Sequence, residues 1–322
     1  MLFLRYSFLF IAITWQAIAW AGNDVNSWLM RISDAASSID YDGVYIHING
    51  SHVDSLRIVH KIKPDGVHER LYALNGVPRE VIRDPNKVWC FIPDKSMGVL
   101  GVRPGKDSGF PGFMVSKIEQ LEDNYDLSVG SQDRIADRNT TQIRIIPRDD
   151  MRYGYDLWAD NETGLLLKSQ LIDHAGYAVE QYLFALLNIS KSIPDASLDP
   201  MTPKSELVWH SDKKPPRITA VKESDWEISS LPAGYKIIKM VRRWMPMEEN
   251  AVEHIVLSDG LGAVSIFIEA SDDGTMPVSL NSMGAVSAYS TNRDGWQITI
   301  IGEVPPDTVK KIGDSLVYRT RP

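Results

Sequence analysis

The chain is 322 residues long, and its 42 acidic residues outnumber its 34 basic ones, so its formal net charge at pH 7 is -8. An acidic chain without a tract of lysine and arginine is poorly suited to bind nucleic acid or another polyanion, and we expect no nucleic-acid partner. A length of about 300 residues exceeds what one hydrophobic core typically holds, which predicts two domains.

The N-terminal segment Met1–Ala21 has the features of a secretory signal peptide. Arg5 precedes an apolar run from Tyr6 to Trp15, and Ala19-Trp20-Ala21 places small residues where a signal peptidase reads them. The run is too short to span a bilayer core of about 30 Å. We expect export to remove Met1–Ala21 and leave a chain starting near Gly22; a retained N-terminal anchor is the alternative.

The cysteine content bears on the compartment. Cys90 is the one cysteine of the chain, so no intrachain disulfide can form. Its apolar neighbours in Val88–Ile92 favour a core residue over a nucleophile. For an exported chain, the absence of disulfides favours a bacterial periplasm.

After the signal peptide, the sequence predicts a helix and then a series of strands. Apolar residues recur at helical spacing from Val25 to Ala36, and Asn23 or Asp24 can cap the helix. The apolar period then changes to two, with turn signals between the runs. The predicted strands are Val44–Asn49, Ser55–Ile62, Val88–Ile92, Tyr125–Val129, Gln142–Ile146, Tyr153–Ala159, Leu165–Ile172 and Ala178–Leu187. They indicate an antiparallel meander of about nine strands, which is long enough to curl.

The segment Pro93–Phe113 interrupts this pattern because glycines alternate with apolar residues in it. A long irregular loop that carries so much apolar surface covers something or binds something. We predict it as part of the cover over a bound acyl chain, and the alternative is a loop packed on its own core. The candidate cover residues are Met97, Val99, Leu100, Val102, Phe110 and Phe113.

A second, smaller domain follows a predicted linker. Ser190–Arg217 contains five prolines among polar residues, which is typical of a linker. Further strands are predicted at Tyr235–Trp244, His254–Ser258, Ala263–Ala270, Ala285–Ser290 and Gln297–Glu303, before a closing helix that starts at Pro305-Pro306-Asp307 and aligns Val309, Ile312 and Leu316. The predicted division is therefore a signal peptide 1–21, a large domain 22–189, a linker 190–217 and a small domain 218–322.

No strong catalytic or metal-binding motif is present. The sequence contains no G-x-S-x-G, no H-E-x-x-H, no paired cysteines and no P-loop. His47, His52, His60 and His68 fall in one hairpin region, but the close carboxylates and fixed spacing of a metal site are missing, and core or exposed histidines are commoner than ligands. We expect no enzyme activity, no cofactor and no metal.

The segment Met240–Met247 is the best candidate for a partner-binding surface. It combines two arginines and a tryptophan, which are enriched at binding hot spots, with three methionines, which adapt to partner surfaces. We predict Arg242, Arg243 and Trp244 as partner-binding residues. Adjacent strand residues point to opposite faces, so we expect one arginine to reach the partner directly. The alternative is an edge strand with solvated arginines and Trp244 in the core.

Motifs in both domains resemble the RseB/MucB family of periplasmic regulators of the sigma-E envelope-stress response. In the large domain they are Glu69-Arg70-Leu71, Asn75-Gly76, Arg79-Glu80-Val81, Arg134-Ile135-Ala136-Asp137-Arg138, Pro147-Arg148-Asp149, Arg152-Tyr153-Gly154-Tyr155 and Thr163-Gly164-Leu165. In the small domain they are Leu231-Pro232-Ala233-Gly234-Tyr235, Arg242-Arg243, Ser258-Asp259-Gly260-Leu261 and Ile301-Gly302-Glu303-Val304-Pro305. The order and coverage of the motifs carry the resemblance, which extends from about Trp28 to Leu316.

The resemblance implies a mainly β fold with helices (α+β): a large unclosed antiparallel β-barrel, similar to lipoprotein carriers, plus a smaller C-terminal α/β domain. It implies that the small domain binds the periplasmic domain of a membrane-spanning anti-sigma factor and protects it from regulated proteolysis. Lipid-bearing ligands, namely lipoprotein or lipopolysaccharide acyl chains, would release the partner. Assembly of the chain into a homo-oligomer is left open.

Two alternatives to this function remain at the sequence level. One is a periplasmic lipoprotein or lipid carrier without a regulatory role, against which the candidate partner face argues. The other is a hydrolase whose catalytic residues are brought together only by the fold.

Overall fold

The computed structural model describes residues 24–102, 121–190, 192–211, 217–244, 251–271 and 277–319. The predicted signal peptide Met1–Ala21 lies outside the described residues. The α-helices are α1 (Val25–Ser38) and α2 (Pro306–Asp314). Neither helix is long and apolar enough to cross a membrane, a statement that covers the described residues alone.

The rest of the described chain is mainly strands joined by turns. The strands of the large domain and its C-terminal extension are β1 (Tyr41–Asn49), β2 (His52–Lys63), β3 (Gly66–Ala73), β4 (Glu80–Arg83), β5 (Lys87–Ile92), β6 (Met97–Val102), β7 (Tyr125–Ile135), β8 (Arg138–Pro147), β9 (Gly154–Asp160), β10 (Leu166–Ile172), β11 (Ala178–Ile189) and β12 (Val208–Ser211). The strands that follow are β13 (Arg217–Ala220), β14 (Trp226–Ile228), β15 (Lys236–Trp244), β16 (Ala251–Ser258), β17 (Ala263–Ala270), β18 (Ser279–Met283), β19 (Val286–Arg293), β20 (Trp296–Gly302) and β21 (Leu316–Tyr318).

The strands of the large domain form one open sheet of twelve strands, not about nine, because β3, β4, β6 and β12 are present in addition to the predicted strands. Its order is β12-β6-β5-β4-β3-β2-β1-β11-β10-β9-β8-β7, and its two end strands do not pair with each other. All pairs are antiparallel except β12 with β6. The smaller domain has a separate seven-stranded sheet, so the predicted fold class, mainly β with an unclosed antiparallel sheet and a smaller C-terminal domain, is confirmed.

Helix α1 packs on one face of the large sheet. The Asp24 carboxylate accepts a hydrogen bond from the Asn26 amide and caps the helix, as one of the two predicted caps does. The helix buries Trp28, Leu29 and Ile32, whose spacing places them on one stripe. They pack with strand residues of β7 to β10, so the core of the large domain lies between helix and sheet.

The first part of Pro93–Phe113 is not the irregular loop that the sequence predicts. A short 3₁₀ helix, Pro93–Lys95, leads into β6, which pairs along its whole length with β5. The glycines of β6 interrupt the alternation of side chains that would indicate a strand. At least one of these glycines is required by the packing around it. A Cβ on Gly98 would lie 2.7 Å from the Trp209 ring, so only glycine lets that ring approach the strand. Phe110 and Phe113 lie outside the described residues.

The predicted linker, 190–217, contacts the large sheet along part of its length. Ile193 and Leu198 pack against Val59 on the face of the sheet opposite Ile58, which faces α1. Lys61 Nζ donates to the Asp195 carboxylate at 2.6 Å. The chain then adds β12 to the sheet edge. Each of these contacts with the sheet is made by a single residue among prolines and polar residues, so no periodic pattern in the sequence predicts it. The domain boundaries at 189/190 and 217/218 stay predictions.

The small domain packs two elements on one face of its sheet. The sheet order is β13-β15-β16-β17-β20-β19-β18, and a two-stranded sheet, β14-β21, lies beside α2. Val309 and Ile312 of α2 and Leu316 of β21 are fully buried in the same core cluster as Trp226 and Ile266. The closing helix and its apolar stripe are confirmed.

Candidate functional site

A buried arginine joins the two domains. The side chain of Arg152, just before β9, is 1% exposed. Its Nε and Nη2 donate to both oxygens of Asp149, and its Nη1 donates to Asp259 Oδ2 of the small domain at 2.7 Å. Its Nη2 also donates to the Ala233 carbonyl. Most N–H donors of the guanidinium therefore form hydrogen bonds to loops of the two domains.

Two tyrosine rings enclose this guanidinium. Its carbon lies 5.5 Å from the ring centre of Tyr125 and 5.1 Å from that of Tyr235, one ring from each domain. The Tyr125 hydroxyl donates to Asp259 Oδ2 at 2.8 Å. Burial, and then the Asp259 charge, raise the pKa of Tyr125 well above its usual value, so this hydroxyl stays a donor. The cluster of Tyr125, Asp149, Arg152, Tyr235 and Asp259 is called the junction cluster below.

Neutral contacts surround the junction cluster. The Met151 carbonyl accepts from the Thr308 hydroxyl at 2.9 Å. Tyr153 and Leu171 of the large domain pack against Ala285 of the small one. Charged and apolar contacts thus bury one continuous surface between the domains, which couples their positions.

Several of the motifs that carry the family resemblance meet at this junction. They supply Asp149, Arg152, Ala233, Tyr235 and Asp259 from segments far apart in sequence. The sequence alone does not predict that these segments form one contact between the two domains. The one available signal was the pair of charged residues, Asp149 and Arg152, that precedes the apolar strand β9.

The predicted partner-binding residues lie on β15 and divide between its two faces. Arg242 and Trp244 are two residues apart, so they share one face of β15, and this face packs on β14 and β21. Arg242 pairs in register with Glu253 of β16, whereas Arg243 pairs with Val252 and points to the other face. Arg242 Nη2 lies 3.3 Å from Glu253 Oε2 and 3.4 Å from Asp225 Oδ2. Arg242 is thus the arginine that pairs within the chain.

Arg243 lies on the opposite face with spare donor capacity. Its Nε is buried and has no hydrogen-bond partner. The neighbouring His254 stacks on Phe267 at 4.4 Å. Burial, and then the charges of Arg243 and Lys239, lower the pKa of His254 to about 4. At neutral pH this face therefore carries the positive charges of Arg243 and Lys239 beside a neutral histidine, and Glu269 of β17 lies on the same face.

The depressed pKa of His254 predicts a pH dependence of stability. Its pKa is about 4 when folded and 6.5 when unfolded, so in that window the unfolded chain binds more protons. We expect stability to fall as the pH drops from 6.5 to 4, with His254 contributing about 1–3 kcal/mol of the loss. Denaturation of the parent and of His254→Gln at several pH values measures this contribution. Equal pH dependence of the two proteins would contradict it.

The described cover residues lie on β6, the strand next to the edge strand β12. Met97 and Val99 point to the same side of β6 as Cys90 does on β5, whereas Leu100 points to the other side with Trp89. Val99 is 39% exposed. Burial raises the pKa of the Cys90 thiol, which does not favour a reactive thiolate. Their role in covering a ligand stays a prediction.

Three of the four histidines that were considered for a metal site have other partners. His47 Nε2 lies 2.6 Å from Glu180 Oε1, His60 stacks on Tyr41, and His68 Nε2 lies 3.0 Å from Asp65 Oδ1. Within the part of the chain that the structure describes, no group of three or more histidine, cysteine or acidic residues is placed to hold a metal ion.

Comparisons with known proteins agree on one family. The model of the MucB/RseB N-terminal domain matches residues 24–202, and that of the MucB/RseB C-terminal domain matches residues 220–317. The chain is 27% identical to the sigma-E factor regulatory protein RseB of Haemophilus influenzae over 324 residues, covering 98% of each chain. It is 27% identical to the sigma factor AlgU regulatory protein MucB of Pseudomonas aeruginosa, covering 91% of this chain and 90% of that one.

The likeness extends to solved structures. The crystal structure of MucB in complex with MucA(peri) matches with a TM-score of 0.71 and 25% identity, covering 92% of this chain and 100% of that chain. Both domains are therefore shared with a protein that has been seen in a complex.

Proposed function

The chain belongs to the MucB/RseB family, and we propose that it is a periplasmic sensor that binds the periplasmic domain of a membrane-spanning anti-sigma factor and so negatively regulates a sigma-E-type stress response. The observation that carries the proposal is the match, over 92% of the chain, to MucB in complex with MucA(peri). The curated relatives are named as regulatory proteins, and the family is one of binding proteins rather than enzymes.

We place the partner on the small domain, at the face of β15 that carries Arg243. Of the predicted residues, Arg243 has an unpaired buried donor, whereas Arg242 is paired with Glu253 and Asp225. A planar guanidinium can bond a carboxylate through two parallel hydrogen bonds, so an acidic partner segment fits this position. Trp244 lies on the opposite face of the strand, so its contribution is indirect: its ring packs against the Arg217 guanidinium and supports the end of β15.

Release by lipid is the second part of the proposal. The large domain would bind an acyl chain on its curved sheet, with the Pro93–Phe113 segment as part of the cover. A ligand that favours the partner-free conformation lowers partner affinity by its differential binding energy. The junction cluster supports such coupling because it holds both domains through fully buried contacts. A lipid carrier without a regulatory role is the alternative, and it predicts lipid binding with no effect on a partner.

A protection assay tests both parts. The anti-sigma factor's periplasmic domain, from the same organism, is digested with a protease with and without the mature chain, and lipids of increasing acyl length are then added. We expect the chain to slow digestion of the anti-sigma factor's domain and added lipids to restore that digestion. Each additional CH₂ in the acyl chain should lower the lipid concentration needed by about fourfold. The lipid headgroup without acyl chains is the control. Absence of protection would contradict the regulator, and release that is independent of acyl length would contradict the acyl-chain site.

A further inference from the structure

A cavity of about 310 Å³ lies in the small domain, between the seven-stranded sheet and the two-stranded sheet β14-β21. It is on the face of β15 opposite Arg243, so it is separate from the partner surface proposed above. Its walls combine aromatic rings, small apolar residues and three charged groups, which are Asp225, Arg242 and Glu253.

Aromatic rings form much of the wall. Trp226 lies edge-on to Trp296 at 6.4 Å and to Tyr318 at 5.3 Å, and Trp296 and Tyr318 lie nearly parallel at 6.4 Å. Trp244 adds a fourth ring from β15. Rings set at such angles present both faces and edges to the space they enclose, and ring faces attract cations.

The charged lining of the cavity includes one unused acceptor. Asp225 and Glu253 both contact Arg242, whose contacts to them are long, at 3.3 to 3.4 Å, and whose side chain is 40% exposed. Glu253 is only 7% exposed, and its Oε1 is buried with no hydrogen-bond partner. A buried carboxylate oxygen without a donor is costly, so this position calls for a donor from outside the chain.

We propose that this cavity binds an organic cation, an ammonium or a guanidinium group carried on an apolar stem. The cation would donate to Glu253 Oε1, and the rings would hold its charge and its stem. Arg242 is the resident cation that competes for Glu253 and moves toward solvent when the ligand enters. An anionic ligand would be repelled by the Glu253 carboxylate, and a neutral apolar one would leave Glu253 Oε1 without a donor.

Two sources can supply this group, a small free amine or the lysine or arginine side chain of a peptide. The titration therefore has two arms, 5-aminopentanol, which is protonated at neutral pH, against 1-hexanol, in which carbon replaces the nitrogen, and a short lysine peptide against its norleucine counterpart. Tryptophan fluorescence and calorimetry report binding, since three tryptophans line the cavity. We expect the cationic member of at least one pair to bind at least about tenfold more tightly than the neutral member.

Variants assign the binding to the cavity. Glu253→Gln should weaken the cation by about tenfold, and Arg242→Gln should strengthen it because the competing cation is gone. Glu269→Gln is the matched control. Glu269 follows the cavity residue Ile268 on β17 and points to the other face of the sheet, so this variant should leave the affinity for the cation unchanged. Equal binding of cationic and neutral members in both arms overturns the proposal whether or not Glu253→Gln folds. Weakening by Arg242→Gln would overturn it as well.

Discussion

Replacing Asp259 with alanine is expected to lower the free energy of unfolding by about 3–5 kcal/mol. The variant removes the partner of the Arg152 Nη1 and the acceptor of the Tyr125 hydroxyl, both in a site that water does not reach. A guanidinium that is 1% exposed would then be buried with part of its charge uncompensated. Urea denaturation followed by tryptophan fluorescence measures the loss.

Two controls separate the buried charge from a general effect of losing an aspartate. Asp126→Ala removes an exposed carboxylate that pairs with exposed Arg148, and should cost no more than about 1 kcal/mol. The double variant Arg152→Met with Asp259→Asn should recover much of the stability, since it removes both buried charges together and leaves an amide oxygen to accept from the Leu261 and Gly262 backbone amides. A loss below about 1 kcal/mol for Asp259→Ala would mean that the junction cluster does not hold the domains.

Reversing the charge of Arg243 is expected to weaken binding of the anti-sigma factor's periplasmic domain by about 2–5 kcal/mol. The glutamate would remove the proposed bidentate contact with an acidic segment and place a like charge against it. Arg242→Glu, on the opposite face of the same strand, should weaken binding far less, because Arg242 already pairs with Asp225 and Glu253.

The measurement is a calorimetric titration of each variant, after a thermal melt confirms that it folds. Arg243→Gln serves as the milder change and should give an intermediate loss. If the Arg242→Glu and Arg243→Glu proteins both fold and bind as tightly as the parent, the partner surface is elsewhere on the small domain or at the domain junction.

Local patterns in the sequence predict the elements with strong periodicity. Helix α1, its cap and the closing helix α2 follow from apolar spacing and capping residues, and most strands follow from alternation. β6 is missed because glycines such as Gly98, required under the Trp209 ring, remove the alternating side chains. The packing of the predicted linker on the sheet is missed because Ile193 and Leu198 are isolated apolar residues.

The sites depend on contacts that a single sequence does not encode locally. Arg152 and Asp259 are 107 residues apart, and no period or motif spacing links them. The sequence does predict that Arg242 and Arg243 differ in role, since neighbours on a strand point to opposite faces, and their register with Glu253 and Val252 agrees. It does not predict which one pairs within the chain, because Asp225 lies just before β14 of the separate two-stranded sheet, and only the fold brings it to Arg242.

Direct binding of the anti-sigma factor's periplasmic domain distinguishes a regulator from a plain lipid carrier. The decisive measurement is a calorimetric titration of that domain into the mature chain, free of lipid, at physiological ionic strength. A regulator of the MucB/RseB type should bind it in a saturable complex with a Kd of about 1 μM or tighter. Absence of binding at about 100 μM, by a chain that melts cooperatively and binds acyl chains, would contradict the regulatory function and leave the carrier.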